Sequence, residues 1–175
     1  IKGLLNVLFI NKSTSLNYEI KKDSLTFSSE DNNNSYNGIV DFKPFYFSAN
    51  FNYEGLSAKY LFEENSILSN LINSEILNNK NFSAILNLKV KNITNINEFN
   101  NLLLKISIEE GNIKFSNSTI MWKDDVKISL DDSLLTLDEE GINLLGTILL
   151  EFIDIDNFYS SYQIVKKNRK KIDKI

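Results

Sequence analysis

The sequence predicts a mainly β protein: a curved, mostly antiparallel sheet, forming a trough or a partly closed barrel or sandwich, with two short amphipathic helices. Most of the 175 residues alternate between apolar and polar with a period of two, as in a half-buried antiparallel strand. Turn-forming residues such as Glu110-Gly111 separate these segments. With 42% hydrophobic residues the chain can build one core. We therefore expect residues 1–175 to form a single β-rich domain.

The predicted strands follow one another as hairpins. A turn at residues 21–23 joins the first two alternating segments, and residues 36–53 exceed the length of an average strand. The only proline, Pro44, lies within that long segment, at an edge, a bulge or a bend, because proline cannot donate to a strand ladder. The later strands carry their apolar side chains at alternate positions: Phe82, Ala84, Leu86, Leu88, Val90, Leu102, Leu104, Ile106, Ile108, Ile113, Phe115, Val126, Ile128, Leu130, Ile142, Leu144, Ile148, Leu150 and Phe152.

Two segments have apolar residues at helical spacing. The first spans residues 63–77, and the second runs from Ile155 to Val165, with Asp154 or Asp156 as its N-cap. Basic residues lie in and beyond the last turn of the second helix, where they suit the helix dipole. The apolar face of the first helix consists of Ile67, Leu68, Leu71, Ile72 and Ile76.

The predicted sheet is wider than its helices. About nine strands at ~4.8 Å spacing span roughly 43 Å, whereas two helices of ~10 Å diameter cover about half of that width. The sheet must therefore curl on itself, meet another domain or leave an apolar groove. The stripe that forms either a closed core or such a groove consists of Phe45, Phe47, Phe51, Leu86, Leu88, Leu104, Ile106, Ile128, Ile148 and Leu150.

The residue types limit the chemistry. The chain has no Cys and no His, which removes the usual thiol and imidazole nucleophiles, zinc sites and haem ligands. Carboxylate pairs at 124–125, 131–132 and 139–140 are expected in solvated turns, and neighbouring strand residues point to opposite faces. No phosphate-binding glycine loop or calcium loop is present. We expect a protein that is not an enzyme and that has no metal and no cofactor.

The charge distribution bears on partners. A net charge of -4 and a pI near 5.0 argue against nucleic acid as a partner. Basic residues crowd at the end of the chain, either as a solvated helix end or as a contact for anionic lipid head groups or a partner protein. No run reaches the ~18 apolar residues of a membrane-spanning helix. The basic cluster consists of Lys166, Lys167, Arg169, Lys170 and Lys171.

The chain begins with Ile1, and its only methionine is Met121. We therefore expect this sequence to be part of a longer protein. Several short motifs then resemble the C-terminal region of bacterial AsmA-like proteins, from about Gly38 onward. The motifs are Gly38–Phe47, Asn50–Leu56, Tyr60–Phe62 with the helix after it, Asn79–Leu88, Glu110-Gly111 leading to Ser118, Leu145–Thr147, and Asp154–Tyr162 with the basic end.

The resemblance implies a fold and a role. AsmA-like proteins are anchored in the inner membrane by an N-terminal helix, absent from this chain, and project into the periplasm of Gram-negative bacteria. Their strands form an apolar trough for phospholipid acyl chains, and the family has no catalytic residues. We therefore expect a non-catalytic, periplasmic segment that supports phospholipid transport and outer-membrane biogenesis, with envelope proteins as further partners. The alternative is a structural or assembly-factor domain with a closed core that binds outer-membrane protein precursors.

Overall fold

The computed structural model describes residues 1–9, 12–30, 33–63, 66, 69–70, 79–138 and 141–170. One hydrogen-bonded sheet contains every described strand. The strands are β1 (Lys2–Phe9), β2 (Lys12–Ile20), β3 (Ser24–Glu30), β4 (Asn34–Phe42), β5 (Phe45–Ser57), β6 (Ser83–Thr94), β7 (Phe99–Glu109), β8 (Asn112–Phe115), β9 (Ser118–Trp122), β10 (Val126–Asp138) and β11 (Gly141–Phe152).

The strands lie in the sheet in almost the same order as in the sequence. The path is β1-β2-β3-β4-β5-β6-β7-β8-β10-β11, with β9 paired to both β7 and β10. Every pair is antiparallel except β5 with β6, which is parallel and therefore requires the long crossover between them. The prediction of a curved, mainly β, mostly antiparallel fold with two helices is confirmed. The chain's described residues form eleven strands, where the sequence predicted about nine.

The additional strands arise at the start of the chain and between β7 and β10. There the chain forms two short strands, β8 and β9, with a break between them at residues 116–117. At the break, the Ser118 hydroxyl donates to the Lys105 carbonyl oxygen at 3.3 Å and accepts from the Lys105 N–H at 3.0 Å. The Asp131 carboxylate accepts the Asn117 N–H at 2.8 Å. These side chains satisfy backbone groups that a continuous ladder would pair.

The predicted turns are largely confirmed. Residues 21–23 connect β2 to β3, and Lys43-Pro44, a cis peptide bond, forms the turn between β4 and β5. Pro44 therefore lies at a bend between two strands, where its missing N–H is not needed. Glu110 and Gly111 both have positive φ, 53° and 80°, as expected of a two-residue hairpin turn.

Two local predictions are wrong. Asp124-Asp125 lies in the expected turn, but Asp125 is buried rather than solvated. Asp131-Asp132 does not form a turn, because both residues lie inside β10 at a bulge where the pairing with β11 shifts register. Asp132 has a positive φ of 46°, which accommodates the extra residue of the bulge. The third carboxylate pair, 139–140, lies outside the described residues.

The helices differ in extent from the prediction. The predicted helix at 63–77 lies mostly outside the described residues, and α1 (Lys59–Phe62) is a single turn before it. The second helix, α2 (Ile155–Ser161), has the expected N-cap, since the Asp154 carboxylate accepts the Asn157 N–H at 2.8 Å. It ends earlier than expected, so its last turn contains no basic residue. The basic residues begin instead in a short 3-10 turn, Lys166–Asn168.

The two faces of the sheet have different chemistry. On the polar face, asparagine side chains hydrogen-bond across strands: Asn50 donates to Asn37 at 2.8 Å, and Asn87 donates to Asn50 at 2.9 Å. On the apolar face, Gly38 leaves room for the Phe27 ring, which stacks on Phe47 with 6.4 Å between ring centroids. The sheet is thus held by side-chain ladders on one face and by apolar packing on the other.

Candidate apolar-ligand site

The apolar face runs without interruption across the sheet. Strand register carries one row of side chains from Tyr36 to Phe51, then to Leu88 and Leu104, all on the same face. Ile106 pairs with Phe115 on β8, and Ile120, Ile128 and Leu150 form a row on β9 to β11, while the bulge in β10 shifts the alternation between Asp131 and Leu134. This register places all ten residues of the predicted stripe on one face: Phe45, Phe47, Phe51, Leu86, Leu88, Leu104, Ile106, Ile128, Ile148 and Leu150.

The middle of this face is closed. Val90 on β6, Ile108 on β7 and Ile113 on β8 are fully buried, and Leu61 of α1 packs into the same cluster. The predicted groove residues Leu88, Leu104 and Ile106 are buried in this cluster as well. These side chains are core in the structure, and a ligand would reach them only by displacing that packing.

The ends of the face are open. Phe45, at the start of β5, is 44% exposed, although its ring contacts Phe82 at 5.6 Å between centroids. Ile148, on the last strand, is 61% exposed. The partly buried Phe47 and Phe51 pack against the edge of the central cluster. The predicted stripe therefore passes from exposed ends through a closed centre.

A cavity of about 230 Å³ opens in the first half of the apolar face. Its walls come from β1 to β5, and Phe51 is the only one of its residues in the predicted stripe. The other lining residues lie in segments whose apolar and polar residues alternate, as in strands. That alternation predicts strands, but it does not tell which of them the helices leave uncovered. The lining residues are Val7, Leu8, Thr14, Leu16, Phe27, Tyr36 and Phe51.

Tyr36, in the wall of this cavity, packs against a second tyrosine, Tyr53. The rings of Tyr36 and Tyr53 meet edge to face, with 5.5 Å between centroids, and both residues are buried. Burial, and to a lesser degree the neighbouring Tyr36 hydroxyl, raises the pKa of Tyr53 well above the ordinary value for a tyrosine.

The basic cluster does not act as one uniform patch. Lys166, Lys167 and Lys170 are exposed, and Lys171 lies outside the described residues. Arg169 instead packs over the Tyr159 ring, and its guanidinium donates to the Ile164 carbonyl oxygen at 3.0 Å. Arg169 also contacts Asp156 and Ser160 of α2. The backbone of the next residue, Lys170, hydrogen-bonds to the Tyr159 hydroxyl.

Among the described residues, one acidic side chain is buried. Asp125 is buried, and one of its oxygens accepts from the Asn157 side chain at 2.7 Å. Across the part of the chain that the structure describes, no group of three or more acidic side chains could hold a metal ion. Within the same residues, no helix is long and apolar enough to cross a membrane.

The cavity and the exposed lysines suit different ligand chemistry. An apolar cavity with aromatic walls suits a hydrocarbon chain, and exposed lysines suit an anionic group. Comparison with protein-family models, with curated proteins and with solved structures finds no match to this chain.

Proposed function

We propose that the chain is a non-catalytic segment of an AsmA-like protein that supports phospholipid transport between membranes and outer-membrane biogenesis. Acyl chains would lie along the open part of the apolar face, in the cavity between Leu16 and Phe51. The observation that supports this proposal is an unbroken apolar face with an open cavity of about 230 Å³ in its first half. Each methylene that leaves water contributes ~0.8 kcal/mol, so affinity needs no polar recognition of the chain.

The mechanism requires no covalent step. The buried cluster around Ile108 keeps the centre of the sheet rigid. The strands before it are less buried, and an acyl chain would contact their apolar side chains, such as Leu5 and Leu16. The exposed Lys166 and Lys167 follow α2, which packs on β9 and β11, so they would offer anionic head groups a contact separate from the cavity. In this proposal the chain works in the periplasm, held at the inner membrane by an N-terminal helix outside this sequence and assisted by envelope proteins.

A cavity-filling variant tests the proposal. Leu16→Trp places a large ring inside the cavity, whereas Asn17→Trp, the next residue on β2, points to the opposite face. Binding of pyrene-labelled phosphatidylethanolamine to the purified chain is measured by fluorescence, and native mass spectrometry checks for co-purified phospholipid. We expect Leu16→Trp to weaken probe binding at least tenfold and Asn17→Trp to leave it within about twofold.

Thermal unfolding of both variants controls for loss of the fold. A stable Leu16→Trp protein that binds the probe as well as the unchanged chain would contradict the proposed site. An unchanged chain that neither binds the probe nor carries phospholipid would contradict lipid binding altogether.

The closed centre of the apolar face favours a second candidate. Val90, Ile108 and Ile113 are as inaccessible as any domain core, as expected of a structural or assembly-factor domain. Such a domain would bind outer-membrane protein precursors by adding a strand at an open sheet edge. A lipid-free chain that captures a synthetic precursor strand would favour this second candidate.

A further inference from the structure

The turn between β4 and β5 exposes apolar side chains. Phe42 and Phe45 pair across this turn and are 41% and 44% exposed. Pro44, between them, is exposed as well. Phe82, just before β6, extends the patch, because its ring contacts that of Phe45 at 5.6 Å between centroids. Exposed apolar residues that touch one another mark an interaction site, whereas scattered ones do not.

This patch lies at one end of the strands, where two other loops meet it. The β2–β3 turn lies on one side, because the Phe42 N–H donates to the Asp23 carbonyl oxygen at 2.9 Å. The start of β6 lies on the other side, since Ser83 is level with Tyr46 in the parallel pair. The strands β2 to β6 all have neighbours on both sides, and together they span roughly 19 Å. We call residues 21–23, 42–45 and 80–82 the hairpin end.

The hairpin end is basic, although the net charge of the whole chain is -4. Its only carboxylate is Asp23. Asp41, just inside β4, is partly buried, and Glu110, at the turn after β7, lies outside the hairpin end. All four of its lysines are exposed, and none of them forms an ion pair with another described residue. These lysines are Lys21, Lys22, Lys43 and Lys80.

We propose that the hairpin end docks on the surface of an anionic lipid bilayer. Exposed phenyl rings beside lysines suit such a surface, because the rings enter the boundary between head groups and acyl chains while the ammonium groups stay among the phosphates. Anionic lipids attract each lysine close to the surface. Charge complementarity therefore selects this end of an otherwise acidic chain. A small soluble anion would leave the Phe42 and Phe45 rings in water.

Docking at this end orients the apolar face. Phe42 and Phe45 lie on the same face as Tyr36 and Phe51, which line the cavity. A bilayer at the hairpin end therefore meets the apolar face at its rim. Docking needs neither the cavity nor a bound acyl chain, so it can hold or fail independently of the proposed function.

Charge reversal tests the contact. The full chain is sedimented with vesicles of phosphatidylglycerol and phosphatidylethanolamine in equal parts, and separately with phosphatidylcholine vesicles. We expect binding to the anionic vesicles alone, weakened about tenfold or more by the double variant Lys22→Glu/Lys43→Glu. Lys89→Glu/Lys123→Glu is the matched control, since it makes the same change in net charge at exposed lysines outside the hairpin end. We expect this control to bind within about twofold of the unchanged chain.

The vesicle experiment has three outcomes that would overturn the proposal. The first is a chain that binds neither kind of vesicle, whatever protein or second copy the hairpin end then proves to contact. The second is equal weakening by both double variants, which would show an effect of net charge alone. The third is loss of binding in Lys166→Glu/Lys167→Glu but not in Lys22→Glu/Lys43→Glu, which would move the contact to the end of the chain. Thermal unfolding checks that each variant is folded.

Fluorescence tests whether the rings enter the bilayer. Trp122 is the single native tryptophan, and it pairs with Phe99, at the end of β7 away from the hairpin end. Phe42→Trp adds a second indole at the hairpin end. We expect anionic vesicles with brominated acyl chains to quench the added emission of Phe42→Trp and to leave the emission of the unchanged chain unaltered. Equal quenching of both proteins, or quenching of neither, would overturn the proposal. Vesicle binding by a chain that takes up no pyrene-labelled lipid would support docking and contradict only the proposed function.

Discussion

Single residues on this sheet are constrained by close packing across strands. Gly38 is the clearest case, because a Cβ atom there would lie 2.4 Å from the Phe27 ring and 2.6 Å from the Ser48 carbonyl oxygen. The ring covers the glycine and stacks on Phe47 beyond it. Asparagine has two roles that composition alone does not separate. Some asparagine side chains hydrogen-bond to one another across strands, and others, such as Asn95 with a φ of 72°, occupy backbone positions with positive φ.

Gly38→Ala therefore should destabilise the chain by about 1–3 kcal/mol, because the added methyl group displaces the Phe27 ring or the backbone of β5. Gly55→Ala is the control: its Cβ atom would meet only the Asn92 carbonyl oxygen, at 3.9 Å. We expect that variant to stay within about 0.5 kcal/mol of the unchanged chain. Urea unfolding measures both, and equal stabilities would contradict the packing described for Gly38.

At the scale of elements, α2 is held to the sheet by aromatic rings. Phe158 contacts Trp122 at 5.6 Å and Phe152 at 5.0 Å between centroids. Tyr162, just after the helix, stacks on Trp122 at 5.5 Å. A helix of seven residues is too short to be stable alone, so these contacts and the Asp154 cap provide most of its stability.

Phe158→Ala should loosen α2 and expose Trp122. We expect a red shift of the fluorescence of this single tryptophan and a loss of about 1–3 kcal/mol of stability, since Phe158 is only half-buried. Asp154→Ala should act in the same direction with a loss of about 1 kcal/mol. Lys167→Ala, a change at an exposed residue, serves as control, and a similar red shift in that variant would show that the emission does not report on α2.

At the scale of the whole molecule, stability is distributed unevenly across one sheet. The buried apolar residues concentrate on β5 to β8, and exposed ones concentrate on β1 and β11. Local opening follows local burial, so the two outer strands should open far more easily than the centre. The proposed lipid exchange requires this combination: a centre that stays folded, and outer strands that open easily enough to admit an acyl chain.

Hydrogen exchange followed by mass spectrometry should show this gradient. In dilute protein we expect the amides of β6 and β7 to exchange most slowly and those of β1 and β11 most rapidly. Uniform protection across the sheet would contradict the distribution of stability described here.

The sequence by itself determined the fold class, because period-two alternation, turn residues and capping depend on neighbours along the chain. It placed Phe51 and Leu88 on one face and limited the N-cap of α2 to Asp154 or Asp156, of which the structure uses Asp154. Only the tertiary structure decided which part of that face is closed: Ile106 is core and Ile148 is exposed, although both alternate in the same way. Burial depends on which strands lie side by side and what covers them, and that is a property of long-range contacts rather than of local pattern.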